Sequence, residues 1–142
     1  MTRISAAVAA ALLLLAGCGG SSSRGESAGA FVKRITTEFS RGQAGRLWDE
    51  LVPAEQQLVP RTRYVACQAN RGFRLRSFKV LEEYGDDVSV AAKTRAATAV
   101  SVQVTSDDGV TTATVHALRV DGRWRWMLQP AQLAAYRAGR CP

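Results

Sequence analysis

Residues Ala97–Leu128 read ATAVSVQVTSDDGVTTATVHALRVDGRWRWML. Apolar and polar residues alternate along most of this stretch, which is the period of a half-buried strand. Two dipeptides interrupt it, Asp108-Gly109 and Asp121-Gly122. Asp-Gly between alternating runs signals a two-residue hairpin, because both central positions take positive φ. The strands expected are Ala97–Thr105, Val110–Val120 and Arg123–Leu128. Turning at Asp108-Gly109 pairs Val104 with Ala113, Val102 with Val115 and Val100 with Ala117. Turning at Asp121-Gly122 pairs Arg119 with Trp124 and Ala117 with Trp126. Paired residues share a face. One face then carries Val100, Val102, Val104, Ala113, Val115, Ala117, Trp124, Trp126 and Leu128. The other carries Ser101, Gln103, Thr105, Thr112, Thr114, His116, Arg123 and Arg125. The first must be covered by other elements, and the second is expected to be largely wetted.

The covering elements lie upstream. Ala28, Phe31, Val32, Ile35 and Phe39 recur at helical spacing, with Ser27 as cap and Gly42 as stop. A short second helix is expected over Gln43–Leu51, burying Leu47, Trp48 and Leu51 and stopped by Pro53. Pro60 suits the first turn of a third helix through about Asn70, burying Tyr64, Val65 and Cys67. Phe73–Tyr84 reads as a strand, Gly85-Asp86-Asp87 as a turn, and Val88–Ala92 as a short return strand. A closing helix over Pro130–Ala138 carries Leu133 and Tyr136. Helices, then an antiparallel meander, then a helix make an α+β domain with helices on one sheet face.

The first 27 residues have a different character. Arg3 precedes an apolar run, Ala6–Leu15, which ends at Leu15-Ala16-Gly17-Cys18. A positive start, a short apolar stretch and small residues at the cut define a secretory signal. The run is about ten residues, half of the roughly 20 that a spanning helix needs. The four residues ending at Cys18 resemble the lipobox of bacterial lipoproteins. The resemblance implies cleavage after residue 17 and acylation of the Cys18 thiol, so that residues 1–17 are a signal peptide. It also implies a lipid-anchored location on the extracytoplasmic face of the cell membrane, in the cell envelope. Residues 18–27 then form the anchor and a Gly/Ser linker (GGSSSRGES), and residues 28–142, roughly 115 of them, suffice for one core.

An extracytoplasmic setting permits disulfides. Cys67 and Cys141 allow one connectivity, a bond closing a long loop; the alternative is two separate buried thiols. Neither has neighbours spaced as zinc ligands, and no metal or other cofactor is expected. The chain carries a formal net charge of +7. Arg61, Arg63, Arg71, Arg74, Arg76 and Lys79 fall together with no acid among them, and Glu82, Glu83, Asp86 and Asp87 follow. Two readings stand: an ordinary solvated surface, or a basic patch for anionic headgroups or acidic wall polymers. Nucleic acid is not an expected partner.

Three helices followed by a long-stranded sheet resemble the nuclear transport factor 2-like superfamily, which includes ketosteroid isomerase-like and polyketide cyclase-like (SnoaL-like) proteins. The residues that carry the likeness are Phe31-Val32-Lys33, then Leu47-Trp48-Asp49 with Leu51 and Pro53, and finally Val120-Asp121-Gly122-Arg123-Trp124. The likeness spans about residues 28–138, and the final helix departs from the smallest members. It implies a cone-like fold, helices over a curved antiparallel sheet, with room for a pocket at the wide end. In the enzymes a pocket carboxylate or His–Asp pair abstracts a proton. A related domain opens some penicillin-binding proteins as a spacer, an analogy at the level of fold alone.

Catalytic groups are scarce in this sequence. Aspartates from 86 to 121 fall in or beside expected turns, Asp49 and Glu50 share the second helix, and His116, the sole histidine, falls on the polar face. No catalytic residue is assigned. The apolar face has two readings: a filled core, or a cavity lined by Trp48, Tyr64, Trp124 and Trp126. The expectation is a non-catalytic binding module, tethered at Cys18, for an envelope protein or a small apolar molecule. The alternatives are an isomerase- or cyclase-like enzyme using a pocket carboxylate, with Asp49 the first candidate, and electrostatic docking to anionic envelope polymers.

Overall fold

A computed structural model describes residues 25–69 and 71–142. The signal segment and Cys18 lie outside the described residues. Helices come first: α1 (Ala28–Ser40), α2 (Ala44–Asp49), α3 (Pro53–Leu58) and α4 (Arg61–Gln68). Four strands follow, β1 (Leu75–Val90), β2 (Lys93–Ser106), β3 (Gly109–Val120) and β4 (Arg123–Trp126), and then α5 (Pro130–Arg137). The sheet is antiparallel in the order β1-β2-β3-β4. The architecture is therefore α+β. Among the described residues no helix is long and apolar enough to cross a membrane.

Helix α1 starts where its cap chemistry says it should. The Ser27 hydroxyl accepts the Ala30 N–H at 3.1 Å, and Gly42 takes φ +68° just past the end. Its stripe Ala28, Phe31, Val32 and Ile35 is buried. Pro53 does not merely stop α2. It opens α3, a helix the sequence reading lacked, because a proline needs no N–H partner in a first helical turn. Between α2 and α3 the backbone pairs with the sheet: Val52 N–H donates to Trp126 O at 2.9 Å, and Trp126 N–H donates to Glu50 O at 3.1 Å. The bridge between Leu51 and Trp126 is parallel, so this segment lengthens the sheet beyond β4.

The Asp121-Gly122 hairpin has the expected register, Arg119 opposite Trp124 and Ala117 opposite Trp126, with φ +50° and +76° at the turn. The other hairpin is corrected by two residues. Val102 pairs with Ala113 and Val100 with Val115, because the turn residues are Asp107 and Asp108. Those two keep negative φ, and Gly109 supplies the positive φ, +121°, immediately after them. A turn followed by a glycine is an alternative hairpin solution to a pair of positive-φ residues. A two-residue slip preserves the alternation, so the expected faces survive it.

The expected turn at Gly85-Asp86-Asp87 is also corrected. β1 runs straight through it to Val90, and the chain reverses at Ala91-Ala92, φ +50° and +62°. The two acids sit on an exposed strand, where water solvates them without a turn. Irregularities in β1 between Leu75 and Ser77 and between Val80 and Glu82 each place an extra residue in the strand.

The inner sheet face meets the helices. Phe31, Val32, Leu47, Leu51, Tyr64, Val100, Val102 and Ala117 are all buried within this core. The outer face, expected to be largely wetted, also carries a small buried cluster. Val88 and Leu118 on that face are buried with Val52, and Val90, Ala97 and Met127 pack around them. The α2–α3 segment that lengthens the sheet delivers Val52 to this side.

Candidate functional site

Beyond Ile35 the helices no longer cover the whole inner face. Ala113, on the apolar side of β3, is exposed despite its position. The gap is a cavity of about 510 Å³, within the range of small-molecule sites. α1 supplies Ile35, Thr36 and Phe39 to its wall, and α4 supplies Tyr64 and Gln68. β2 and β3 supply Val102, Val104, Ala113 and Val115, and Trp126–Gln129 with Gln132 close another side. Arg71, Asp108, Thr111 and Gln129 are exposed members of the wall and mark its open end. The deeper wall is mostly apolar.

Tyr64 anchors this arrangement. Only 1% of it is exposed, and its ring lies 6.4 Å from Trp126 and 5.9 Å from Tyr136. Burial pushes the Tyr64 phenol well above its usual range, and Tyr136 adds to the shift. Gln68, also buried, donates from Nε2 to Tyr136 Oη at 3.1 Å. One residue earlier, Cys67 is bonded to Cys141, with Cα atoms 5.4 Å apart. The disulfide ties the end of α4 to the chain following α5. Both helices contribute to the cavity wall, so the bond fixes two of its sides.

Of the four aromatics expected to line a cavity, Tyr64 and Trp126 do so. Trp48 and Trp124 are corrected: their indoles serve as staples elsewhere. Trp48 Nε1 donates to Val59 O at 2.7 Å, and Trp124 Nε1 donates to Glu26 O at 2.7 Å. Trp124 stacks on Phe31, and the Arg119 guanidinium lies over its ring, 4.1 Å from the ring centre. An indole N–H that leaves water needs an acceptor, and a backbone carbonyl fixes where the ring goes. Trp126 combines both roles, donating to Leu47 O at 2.8 Å while forming part of the wall.

The candidate acid–base groups lie off the wall. Asp49 faces solvent and meets Arg61 at 3.3 Å, while Glu50 meets Arg34 at 2.9 Å. His116 is on the outer face, where its Nε2 lies 2.9 Å from Asp86 Oδ2. The imidazole, followed by the Asp87 N–H, holds the Asp86 carboxyl below its usual range. Sequence reading missed the buried carboxylate, Glu55, 3% exposed on α3. Its Oε2 accepts the Leu128 N–H at 2.8 Å, and burial pushes its pKa up to about 7 against that bond and Arg137. Glu55 is outside the cavity wall, where Asp108 is the only carboxylate among the described residues. Nothing in the linear pattern marks Glu55, since Glu in a first helical turn is ordinary.

The basic stretch does not form one free surface. Arg61 is occupied by Asp49, Arg76 pairs with Asp107, and Arg71 donates to the Pro142 carbonyl. Arg63 is half-buried near Gly139, and Arg74 and Lys79 are exposed on the β1 side. Among the described residues no three His, Cys, Asp or Glu side chains group as a metal site. No known family model matches the chain, and no curated protein is significantly similar to it.

Proposed function

We propose that this chain is a lipid-anchored envelope protein whose nuclear transport factor 2-like domain is a non-catalytic binding module for a small apolar molecule. The observation that carries the reading is the 510 Å³ cavity between the inner sheet face and α1, α4 and α5. Its depth offers Ile35, Leu47, Val102, Val115 and Trp126 to an apolar body. Its open end offers the Arg71 guanidinium and the Asp108 carboxylate beside amides and hydroxyls, which orient a ligand that carries one polar end. Its wall brings no acid and base together, and Asp108 stands at the exposed hairpin turn. The Leu15-Ala16-Gly17-Cys18 pattern supports acylation at Cys18 and a place on the extracytoplasmic face of the cell membrane. Two acyl chains hold a protein stably where one does so only marginally.

Native mass spectrometry of the protein, gently extracted from the membranes of its own host, tests this. A reproducible added mass of a small apolar compound, absent after delipidation of the folded protein, is the expected result. A bare mass, or a stoichiometric protein companion in place of a small molecule, overturns it. Cys18→Ala tests the anchor separately: the protein leaves the membrane fraction or remains uncleaved, and unchanged retention contradicts acylation.

A further inference from the structure

β1 is an edge strand with an unusual division of charge. Residues Leu81–Asp87 are exposed without interruption, on both sheet faces. Among the described residues, no element other than β2 pairs with the backbone of β1. The Asp87 N–H turns locally to Asp86 Oδ1, so the open ladder lies before it. The first half of the strand and its approach carry Arg74, Lys79 and Arg76, the last already paired with Asp107; the second half carries Glu82, Glu83, Asp87 and Asp86, the last already paired with His116. Between the halves stands Leu81, 46% exposed, at the irregularity that divides the pairing with β2.

Edge strands normally discourage pairing with bulges and scattered charge, and β1 has the bulges, at Leu75–Ser77 and Val80–Glu82. Here the charge is sorted, and sorting has a direction. A parallel partner strand sets base on base and acid on acid. An antiparallel second copy, related by a two-fold axis near Leu81, sets the basic half of each strand on the acidic half of the other. A shift of one residue in register keeps that match. Such a contact is isologous, with the same patch on both copies and Leu81 beside its counterpart. From this edge geometry we infer that β1 is a self-association surface, with a second copy of this chain adding its β1 antiparallel to form one continuous sheet. The partner supplies main-chain hydrogen bonds, and the opposite charges set orientation and register. The paired length is small beside a standard interface, in the size class of weak or transient contacts. The cavity plays no part in it.

A charge exchange tests the surface on the full chain in mild detergent, by sedimentation equilibrium. One variant carries Arg74→Glu and Lys79→Glu, the other Glu82→Lys and Asp87→Lys; all four side chains are exposed. The wild-type chain forms a dimer that weakens as salt rises. Each variant alone loses affinity by about ten-fold or more, since like charges then face each other across the strands. An equimolar mixture of the two recovers a heterodimer, a result that damage to the fold does not produce. Leu81→Cys in an otherwise wild-type chain forms a disulfide between copies upon mild oxidation. A wild-type chain that stays monomeric into the high micromolar range overturns the inference. So do variants that associate as well alone as they do together.

Discussion

Glu55 Oε2 accepts the Leu128 backbone N–H at 2.8 Å, joining α3 to the chain just past β4, with only 3% of Glu55 exposed. That bond holds Leu128, one of the cavity's wall residues, in place. It also places an ionisable group where ionisation is unfavourable. The Glu55 carboxyl, at about 7 in the fold, titrates near 4.5 in an unfolded chain. A raised pKa means the folded state binds the proton more tightly. The contribution is therefore complete below pH 4.5 and is lost as pH rises through about 7. Its full size is about 3 kcal/mol. Glu55→Gln keeps an acceptor for Leu128 and removes the charge. Chemical denaturation of both proteins from pH 4 to 8 will show near-equal stability at the acid end and a more stable variant at the alkaline end. Parallel curves for the two proteins contradict the assignment.

The Cys67–Cys141 bond, with a separation of 74 residues in sequence, constrains the unfolded chain strongly. Cys67→Ser lowers stability by about 4 kcal/mol in the chain-entropy model and leaves the Cys141 thiol open to alkylation. A Cys141 that reacts with thiol reagents in the folded wild-type protein contradicts the bond.

Trp48 is half-buried, and its indole bond to Val59 O sets how α3 returns to α4. Trp48→Phe keeps most of the ring and orphans that carbonyl, for a loss of about 1–2 kcal/mol in thermal or urea unfolding. No loss means that the ring alone does the work. The companion Trp124→Phe gives a smaller loss, because the Arg119 guanidinium still donates to Glu26 O at 3.2 Å.

The sheet was legible where local chemistry and tertiary demand agree. Asp121-Gly122 takes positive φ at both positions and fixes Trp124 and Trp126 on the face the pattern assigns them. Ala91-Ala92 has the same left-handed geometry with no residue that advertises it, and β1 runs through a false turn signal at Gly85. Tertiary pairing along β2 overrides local turn preference there. Pro53 carried two messages, a stop for α2 and a start for α3, and the pattern alone conveys only the first. The cavity was half-legible. Tyr64 and Trp126 line it, but an aromatic with a polar tip goes where its N–H finds an acceptor, and the acceptors of Trp48 and Trp124 depend on distant backbone. Glu55 was invisible because its burial arises from α3 folding onto Leu128, 73 residues away.

The most direct measurement is a titration of the folded protein with a medium-chain fatty alcohol, followed through the methyl resonances of the cavity wall. Ala113 is an exposed wall residue, so Ala113→Trp fills the cavity without displacing buried neighbours. Saturable shifts confined to Val102, Val104, Ala113, Val115 and Leu128 in the wild type, abolished in Ala113→Trp, are the expected result. Shifts that never saturate, that fall outside the wall, or that persist in Ala113→Trp would show that the cavity is not a binding site.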